Sequence, residues 1–304
     1  MTDPLVWLPF DPGELGEPPT SLRYEVVDPT EHVPDSVADV VFYVTPYRLS
    51  SAVADVLPRM VSLEVVQTLT AGVDNIRDQV PDGVTLCNGR GIHDTSTAEL
   101  AMTLVLASLR GVPGFVRAQD RHEWQQGWYP ALADRRVLLV GYGAIGAAIE
   151  ARLRPFEVDV VKVARTARDG VRAVSELPDL LPGADVVIVV VPLTADTRGL
   201  VDAAFLARMK EGALLVNVAR GQVVDTDALV QALHAGRVRA ALDVTDPEPL
   251  PPEHPLWKAP HLLISPHVGG PSSAMWPRAH RLVREQLTRF AAGEPLANVM
   301  SGGY

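Results

Sequence analysis

The stretch that most constrains this chain is Val137–Arg168, whose pattern is a strand, a glycine turn, a helix and a second strand. An apolar run ends at the turn Gly141-Tyr142-Gly143-Ala144-Ile145-Gly146, a helical pattern follows, and a second apolar run covers 158–164. This order of elements is the context in which G-x-G-x-x-G is typical of dinucleotide binding.

Each glycine of the turn has a physical role in such a site. Gly141 permits the tight turn, Gly143 lets the backbone approach a pyrophosphate, and Gly146 lets the helix pack on the strand. The helix that begins at Ala144 and Ile145 presents free N–H groups and a partial positive charge to the phosphates. The sequence therefore predicts that Gly141, Gly143, Ala144, Ile145 and Gly146 bind a dinucleotide.

The end of the second strand bears on which dinucleotide is bound. An NAD site usually has Asp or Glu there, whereas this chain has Ala164 followed by Arg165 and Thr166. A small residue leaves room for a 2′-phosphate, and a guanidinium binds phosphate through two parallel hydrogen bonds. The alternative is that Arg165 is a solvated loop arginine. We expect NADP(H) as the preferred cofactor, with NAD(H) as the alternative.

Length and composition limit the classes of protein that remain. The chain has 304 residues, enough for two domains, and its formal net charge of −10 argues against nucleic acid or an anionic membrane as a partner. No apolar run approaches the roughly 20 residues of a membrane span, and the N-terminus lacks the basic region of a signal peptide. Cys87 is the one cysteine, so no intrachain disulfide forms. We expect a cytoplasmic protein with no metal.

Outside the glycine stretch, short apolar runs alternate with helical patterns, which indicates parallel sheets covered by helices. Strand-like runs lie at 5–8, 24–27, 40–44, 64–68 and 84–87, and again at 186–191, 213–218, 240–244 and 262–264. Helical patterns lie at 52–60, 202–209, 225–235 and 277–291. The predicted fold class is α/β, with two Rossmann-like domains built on doubly wound parallel sheets.

Two apolar segments precede the glycine turn. A helical pattern from Thr97 is apolar on almost every side, so we expect it to be buried between layers or between subunits. Gly111, Pro113 and Gly114 interrupt this pattern. The cluster Trp124–Tyr129 follows, and core packing is its favoured role, with a subunit interface as the alternative.

Polar residues follow three of the later strands, at the edge where ligands bind in open α/β sheets. Arg220, Glu248 and His267 together could reduce a keto acid: arginine binds the carboxylate, histidine supplies the proton, and glutamate orients the imidazole. The alternatives are a surface salt bridge and a chance Glu–His pair. In the first ninety residues, the glycine of the loop 70–74 either exposes backbone N–H groups to an anion or forms an ordinary turn.

Several longer motifs resemble the D-isomer-specific 2-hydroxyacid dehydrogenase family. They are LTAGVDNI (69–76), TAEL (97–100), VGYGAIG (140–146), VVPLTADTRGL (190–200), LLVNVARGQVVDTDAL (214–229), ALDVTDPEPLPPEHPLW (241–257) and SPHVGG (265–270). The resemblance implies a substrate-binding domain made of 1–96 and 278–304, with a dinucleotide-binding domain, 97–277, inserted between them. It also implies a two-fold homodimer.

The resemblance assigns roles to single residues. It implies Arg220, Glu248 and His267 as the catalytic residues, with Arg220 and His267 also contacting the substrate. Ala71 and Gly72 would offer backbone N–H groups to the substrate carboxylate. The expected cofactor contacts beyond the glycine turn and Arg165-Thr166 are Pro192, Val218, Ala219, Asp243 and Gly269, with Asp243 near the nicotinamide.

Departures from the family pattern reduce the number of substrate classes that remain. Formate dehydrogenases of the family carry glutamine where this chain has Glu248, and phosphoglycerate-oxidising members have an arginine where it has Val44, with only Arg48 nearby. The Ala164-Arg165-Thr166 end resembles the NADPH-using glyoxylate and hydroxypyruvate reductases.

We predict a D-stereospecific reductase of small 2-keto acids such as glyoxylate or hydroxypyruvate. The alternatives are a dinucleotide-sensing interaction protein of the corepressor type and a phosphite dehydrogenase. Tyr47, Arg48, Arg90 and Trp276 are unranked candidates for the substrate pocket.

Overall fold

The structure, a computed structural model, describes residues 3–300. The chain divides into two compact units: the first combines the residues up to His93 with those from Ser273 onward, and the second is Asp94–Ser272. The boundaries expected from sequence, 96/97 and 277/278, lie a few residues further along the chain. The assignment of the units to substrate and dinucleotide stays a prediction.

The strands and helices follow the predicted alternation. The strands are β1 Leu5–Leu8, β2 Arg23–Val26, β3 Val40–Val44, β4 Val65–Gln67, β5 Thr85–Cys87, β6 Arg136–Val140, β7 Asp159–Ala164, β8 Arg172–Ala173, β9 Val186–Val189, β10 Leu214–Asn217, β11 Arg239–Leu242 and β12 Leu262–Ile264. The helices are α1 Ser51–Val56, α2 Asp94–Arg110, α3 Val112–Asp120, α4 Ala144–Leu153, α5 Leu177–Leu180, α6 Ala203–Arg208, α7 Thr226–His234 and α8 Met275–Ala291.

The first unit is built on a five-stranded parallel sheet in the order β2-β1-β3-β4-β5. The helix α8 belongs to this unit although it is far along the chain from β1–β5. Its buried side chains recur every four residues, at Met275, Ala279, Val283 and Leu287, and pack into the hydrophobic cluster that holds β1 and β3 residues such as Val6 and Phe42. That spacing places them on one helix face, so the last helix completes the core of the first unit.

The second unit is built on a seven-stranded parallel sheet in the order β12-β11-β10-β9-β6-β7-β8. Hydrophobic clusters cover both faces: one contains α2 and α4, and the other contains α5, α6 and α7. The chain order reverses between β6 and β9, which are paired with Val140 opposite Val189. This is the topological switch point of the sheet, where ligands bind in open α/β folds. The predicted fold class is confirmed.

Two interpretations of the region before the glycine turn need correction. Gly111, with φ of +72°, ends α2, but Pro113 and Gly114 do not interrupt helical structure, since they lie in the first turn of α3. Proline is tolerated there because the first helical N–H groups have no partner within the helix.

The tryptophan cluster is not core. Trp124 is 90% exposed and Trp128 is fully exposed, so the core-packing interpretation of this segment is wrong.

The described residues contain no single helix long and apolar enough to cross a membrane. The pair α2 and α3 meets the length and composition criterion only when taken together, across a bend of 67°.

Candidate active site

The glycine turn lies at the switch point of the seven-stranded sheet. Gly141 follows β6 with φ of +107°, and a Cβ there would come within 2.6 Å of the Val190 carbonyl oxygen, just beyond β9. A Cβ on Gly146 would lie 2.5 Å from the Gly141 carbonyl oxygen. Both positions therefore require glycine, because the clashes would be with backbone.

A dinucleotide fits this turn. A Cβ on Gly143 would meet no atom within 4 Å, so the space beside it is open. Gly143 precedes the ten-residue helix α4, which begins at Ala144 with Ile145 half-buried behind it. The open space thus adjoins a helix N-terminus, whose N–H groups and partial positive charge suit a pyrophosphate.

Side chains that sequence reasoning missed support the turn. The Tyr142 hydroxyl donates to Glu150 of α4, and this bond holds the pKa of Glu150 below its usual range. Lys162 Nζ donates to the other Glu150 oxygen at 3.1 Å. Arg168 donates to the Tyr142 carbonyl oxygen at 2.5 Å, and its guanidinium carbon is 5.7 Å from the ring centre. A tyrosine between two glycines gave no sequence signal for this network.

Arg165 and Thr166 stand directly after β7 and both are exposed. No acidic side chain occupies the end of this strand, where Ala164 is half-buried. Pro192, after β9, is exposed, whereas Val218 and Ala219, after β10, are buried. These cofactor candidates thus all lie at the carboxyl edge of the sheet, with the glycine turn.

Arg220 is placed by a short loop after β10. The Asn217 side chain accepts from the Ala219 N–H and donates to the Arg220 carbonyl oxygen, each at 3.0 Å. A Cβ on the next residue, Gly221, would lie 1.9 Å from the Thr245 carbonyl oxygen. The loop carrying Arg220 therefore packs against the segment that leads to Glu248.

Glu248 and His267 form the predicted pair. His267 Nδ1 and Glu248 Oε1 are 2.5 Å apart, and both side chains are less than half exposed. The hydrogen bond to Glu248 raises the pKa of His267, outweighing partial burial and the nearby Arg220 charge, which lower it. His267 therefore holds its proton to a higher pH than an ordinary histidine.

Asp243 fixes the loop that carries His267. This carboxylate is 3% exposed and accepts three hydrogen bonds: from Ser265 Oγ at 2.6 Å, and from the backbone N–H groups of Val268 and Gly269 at 2.9 Å each. The Gly269 carbonyl accepts in turn from Thr97 Oγ1 at 3.2 Å. Asp243 thus has a positioning role that the sequence did not reveal.

The comparisons with known proteins agree with this geometry. The model of the D-isomer specific 2-hydroxyacid dehydrogenase NAD binding domain matches residues 102–269, which is more than half of the chain. The chain belongs to the D-isomer specific 2-hydroxyacid dehydrogenase family.

Relatives and solved structures support this membership along the chain. A glyoxylate reductase from Thermofilum pendens is 33% identical over 258 residues, covering 79% of this chain and 76% of the relative. The structure of a D-isomer specific 2-hydroxyacid dehydrogenase from Xanthobacter autotrophicus Py2 in complex with NADPH and MES is 31% identical, with a TM-score of 0.84 over 99% of this chain and 98% of the other.

A third similar protein is an NADPH-dependent glyoxylate/hydroxypyruvate reductase from Sinorhizobium meliloti, in complex with NADP and sulfate. It is 27% identical, with a TM-score of 0.83 over 98% of this chain and 97% of the other. The protein described here is therefore an oxidoreductase of this dehydrogenase family, with a nicotinamide dinucleotide as cofactor.

The remaining candidate substrate-binding residues lie in the first unit of the dehydrogenase. Ala71 and Gly72 are half-buried; the Ala71 carbonyl accepts from Asn88 Nδ2 at 3.0 Å and the Gly72 carbonyl from Thr70 Oγ1 at 2.7 Å. The loop is thus held by its carbonyl groups.

The unranked pocket candidates take different positions in that unit. Tyr47 packs 5.5 Å from the buried His93 ring, and Trp276 is 6.1 Å from Phe10. Arg48 and Arg90 are exposed.

The Glu248–His267 contact makes a direct prediction for the dehydrogenase. Glu248→Gln keeps the shape of the side chain but removes its charge, so the pKa of His267 should fall and the imidazole should lose its proton at lower pH. An NMR titration of the His267 ring measures this pKa. Glu253→Gln, a change of an exposed acid in the same segment, is the control and should leave it in place. An identical His267 titration in wild type and Glu248→Gln would show that the pair does not form in solution.

Proposed function

We propose that this enzyme is a D-stereospecific, NADPH-dependent reductase of small unphosphorylated 2-keto acids such as glyoxylate or hydroxypyruvate. The observation that carries the proposal is the Glu248–His267 hydrogen bond of 2.5 Å, which keeps a proton on a histidine at the carboxyl edge of the sheet. A protonated histidine there supplies what reduction of a carbonyl requires besides hydride.

The bound nicotinamide supplies the hydride for the carbonyl carbon. His267 donates a proton to the carbonyl oxygen from Nε2, because Nδ1 is held by Glu248. The imidazole is left neutral, with its remaining proton on Nδ1 and shared with Glu248. In this proposal Arg220 binds the substrate carboxylate and the carbonyl oxygen, and the backbone N–H groups of Ala71 and Gly72 are further donors to the carboxylate.

The small size of the proposed substrate rests on the first unit and on the relatives. Val44, where phosphoglycerate-oxidising members carry arginine, ends β3 as a fully buried apolar residue, so it offers no charge to a phosphate group. Glyoxylate and hydroxypyruvate are the substrates named for similar proteins.

Loss of the proton donor tests the mechanism. His267→Gln should lower 2-keto acid reduction by about 10²–10⁴-fold, the usual scale for a general acid, while NADPH binding measured by fluorescence changes little. His234→Gln, at an exposed position in α7, is the matched control and should keep full activity. Activity of His267→Gln within threefold of wild type would remove His267 from the mechanism. Wild-type turnover of phosphite with NADP⁺, and not of any keto acid in a panel, would replace the proposed reaction.

The preference for NADPH is proposed from Arg165, Thr166 and Ala164. The 2′-phosphate carries close to two negative charges; Arg165 can offer two charge-assisted hydrogen bonds and Thr166 a third. The half-buried Ala164 leaves space where an aspartate would repel the phosphate. One charge-assisted bond contributes roughly 1.5–3 kcal/mol, less when screened at an exposed site.

The cofactor preference should therefore be on the order of tenfold to a few hundredfold in kcat/KM. Arg165→Ala should weaken NADPH and leave NADH nearly unchanged, whereas Ala164→Asp should improve NADH as it weakens NADPH further. Arg172→Ala, which removes an exposed arginine from β8, is the control. A wild type that prefers NADH, or equal losses for both cofactors in Arg165→Ala, would contradict the assignment.

A homodimer is proposed from the exposed aromatic segment. Trp124 and Trp128 stand in solvent on a segment without helix or strand, and Phe115 and Val116 of α3 are also exposed. Apolar side chains of this size are typical of interfaces, and a second copy of the chain is the proposed partner. Light scattering at micromolar concentration should give twice the monomer mass of 32.8 kDa, and Trp128→Ala should weaken association. The monomer mass for wild type would reject the dimer.

A cytoplasmic location is proposed from the thiol chemistry. Cys87 is a fully buried free cysteine, and burial raises its pKa to about 11. Because a single buried thiol forms no intrachain disulfide, the fold does not depend on an oxidising compartment.

A further inference from the structure

A cluster of basic side chains lies at the amino edge of the seven-stranded sheet, opposite the glycine turn. Arg135 precedes β6, Lys210 precedes β10, and Arg239 is the first residue of β11. Together they line a cavity of about 280 Å³, with Leu109 and Pro130 on an apolar side. No motif of the family resemblance falls on these cations, and the proposed reaction uses none of them.

One carboxylate inside this cluster already accepts three hydrogen bonds. Asp185 Oδ1 accepts from Lys210 Nζ at 2.7 Å and from Arg135 Nη1 at 3.2 Å, and Oδ2 accepts from the Arg136 backbone N–H at 2.9 Å. Although burial acts to raise it, these hydrogen bonds hold the pKa of Asp185 below its usual range. Asp185 is therefore already paired with two cations, Lys210 and Arg135.

Arg239 is the cation of this cluster that does not form an ion pair with Asp185. Its guanidinium is half-buried, Nε donates to the Gly212 carbonyl oxygen at 3.1 Å, and it forms no ion pair within residues 3–300. Burial lowers the pKa of Arg239, and the charge of Arg135 lowers it further. Glu211 also lines the cavity, but it is exposed and likewise forms no ion pair in the described part of the chain. A half-buried charge without an opposite charge is unfavourable, and an anion in the cavity would relieve it.

We propose that this cavity binds a small oxyanion of the phosphate class, held by Arg239 and Arg135, with Lys210 as a third positive charge. Guanidinium groups present parallel N–H donors that match two oxygens of a phosphate. Leu109 and Pro130 give part of the lining an apolar character, and the three cations outnumber the two carboxylates, Asp185 and Glu211, that also line the cavity. The overall charge of −10 makes general attraction of anions a poor explanation for such binding, which must come from this local cluster.

The experiment measures thermal unfolding with inorganic phosphate as the probe. Saturating NADPH is present throughout, so that the dinucleotide occupies its own phosphate contacts. Phosphate at several times its Kd should raise the Tm of wild type on the order of 2–4 °C above sodium chloride of equal ionic strength. Calorimetric titration gives the Kd directly.

Three variants separate the cavity from other anion sites. Arg239→Met keeps an apolar stem of similar reach and should abolish the phosphate response while leaving the Tm without phosphate equal or higher, because an unpaired charge is lost. Glu211→Gln should tighten phosphate binding several-fold, since a like charge is removed. Arg165→Ala should keep the full response. An equal response in wild type and Arg239→Met, or none in wild type beyond sodium chloride, would overturn the proposal; loss of the response in Arg165→Ala alone would assign it to the dinucleotide site.

Discussion

The buried carboxylate of Asp243 is the interaction on which the candidate active site depends. Burying a carboxylate is costly unless hydrogen bonds replace its water, and here three donors do so. Two of them are the backbone N–H groups that directly follow His267, whose own N–H bonds to the Asp243 carbonyl oxygen at 2.7 Å. His267 has φ of +53°, an unusual conformation for a residue with a side chain, and it persists because the backbone around it is fixed on both sides.

Close backbone approach joins this loop to its neighbours. Gly221 lies so near the Thr245 carbonyl that no Cβ would fit, and a Cβ on Gly269 would lie 2.9 Å from Asp243 Oδ2. These glycines are needed for proximity, and neither has a positive φ. The loop after β10 therefore packs closely on the loop after β11, and the loop after β12 packs closely on the Asp243 side chain. The hydrogen bond to Glu248 is the largest cause of the raised pKa of His267, so the proposed role as general acid needs such fixed support.

The sequence predicted the parts of this enzyme that repeat a local pattern. The runs at 5–8, 40–44 and 262–264 match β1, β3 and β12 residue for residue, and the glycine turn lies at the predicted strand–helix junction. What the sequence did not reveal, or assigned wrongly, concerns residues whose environment is set by distant parts of the chain. Asp243 is hydrogen-bonded to groups more than twenty residues away, which no local pattern encodes. Trp124 and Trp128 suggested a core because large aromatic residues are usually buried, yet burial depends on which surfaces the rest of the fold provides.

The two edges of the seven-stranded sheet offer an anion different kinds of partner. At the carboxyl edge, the glycine turn offers a phosphate neutral backbone N–H groups at the start of α4, so no buried cation is left when the site is empty. At the amino edge, Arg239 brings a full charge into a half-buried position, where the proposed anion would balance it. The strands between the edges are nearly inaccessible in β9 and β10 and have a single pairing register. Energetic coupling over such a distance requires an element that can adopt two arrangements. These strands have only one pairing register, so they do not provide such an element. An anion at the amino edge should therefore stabilise the second unit without altering the Glu248–His267 pair.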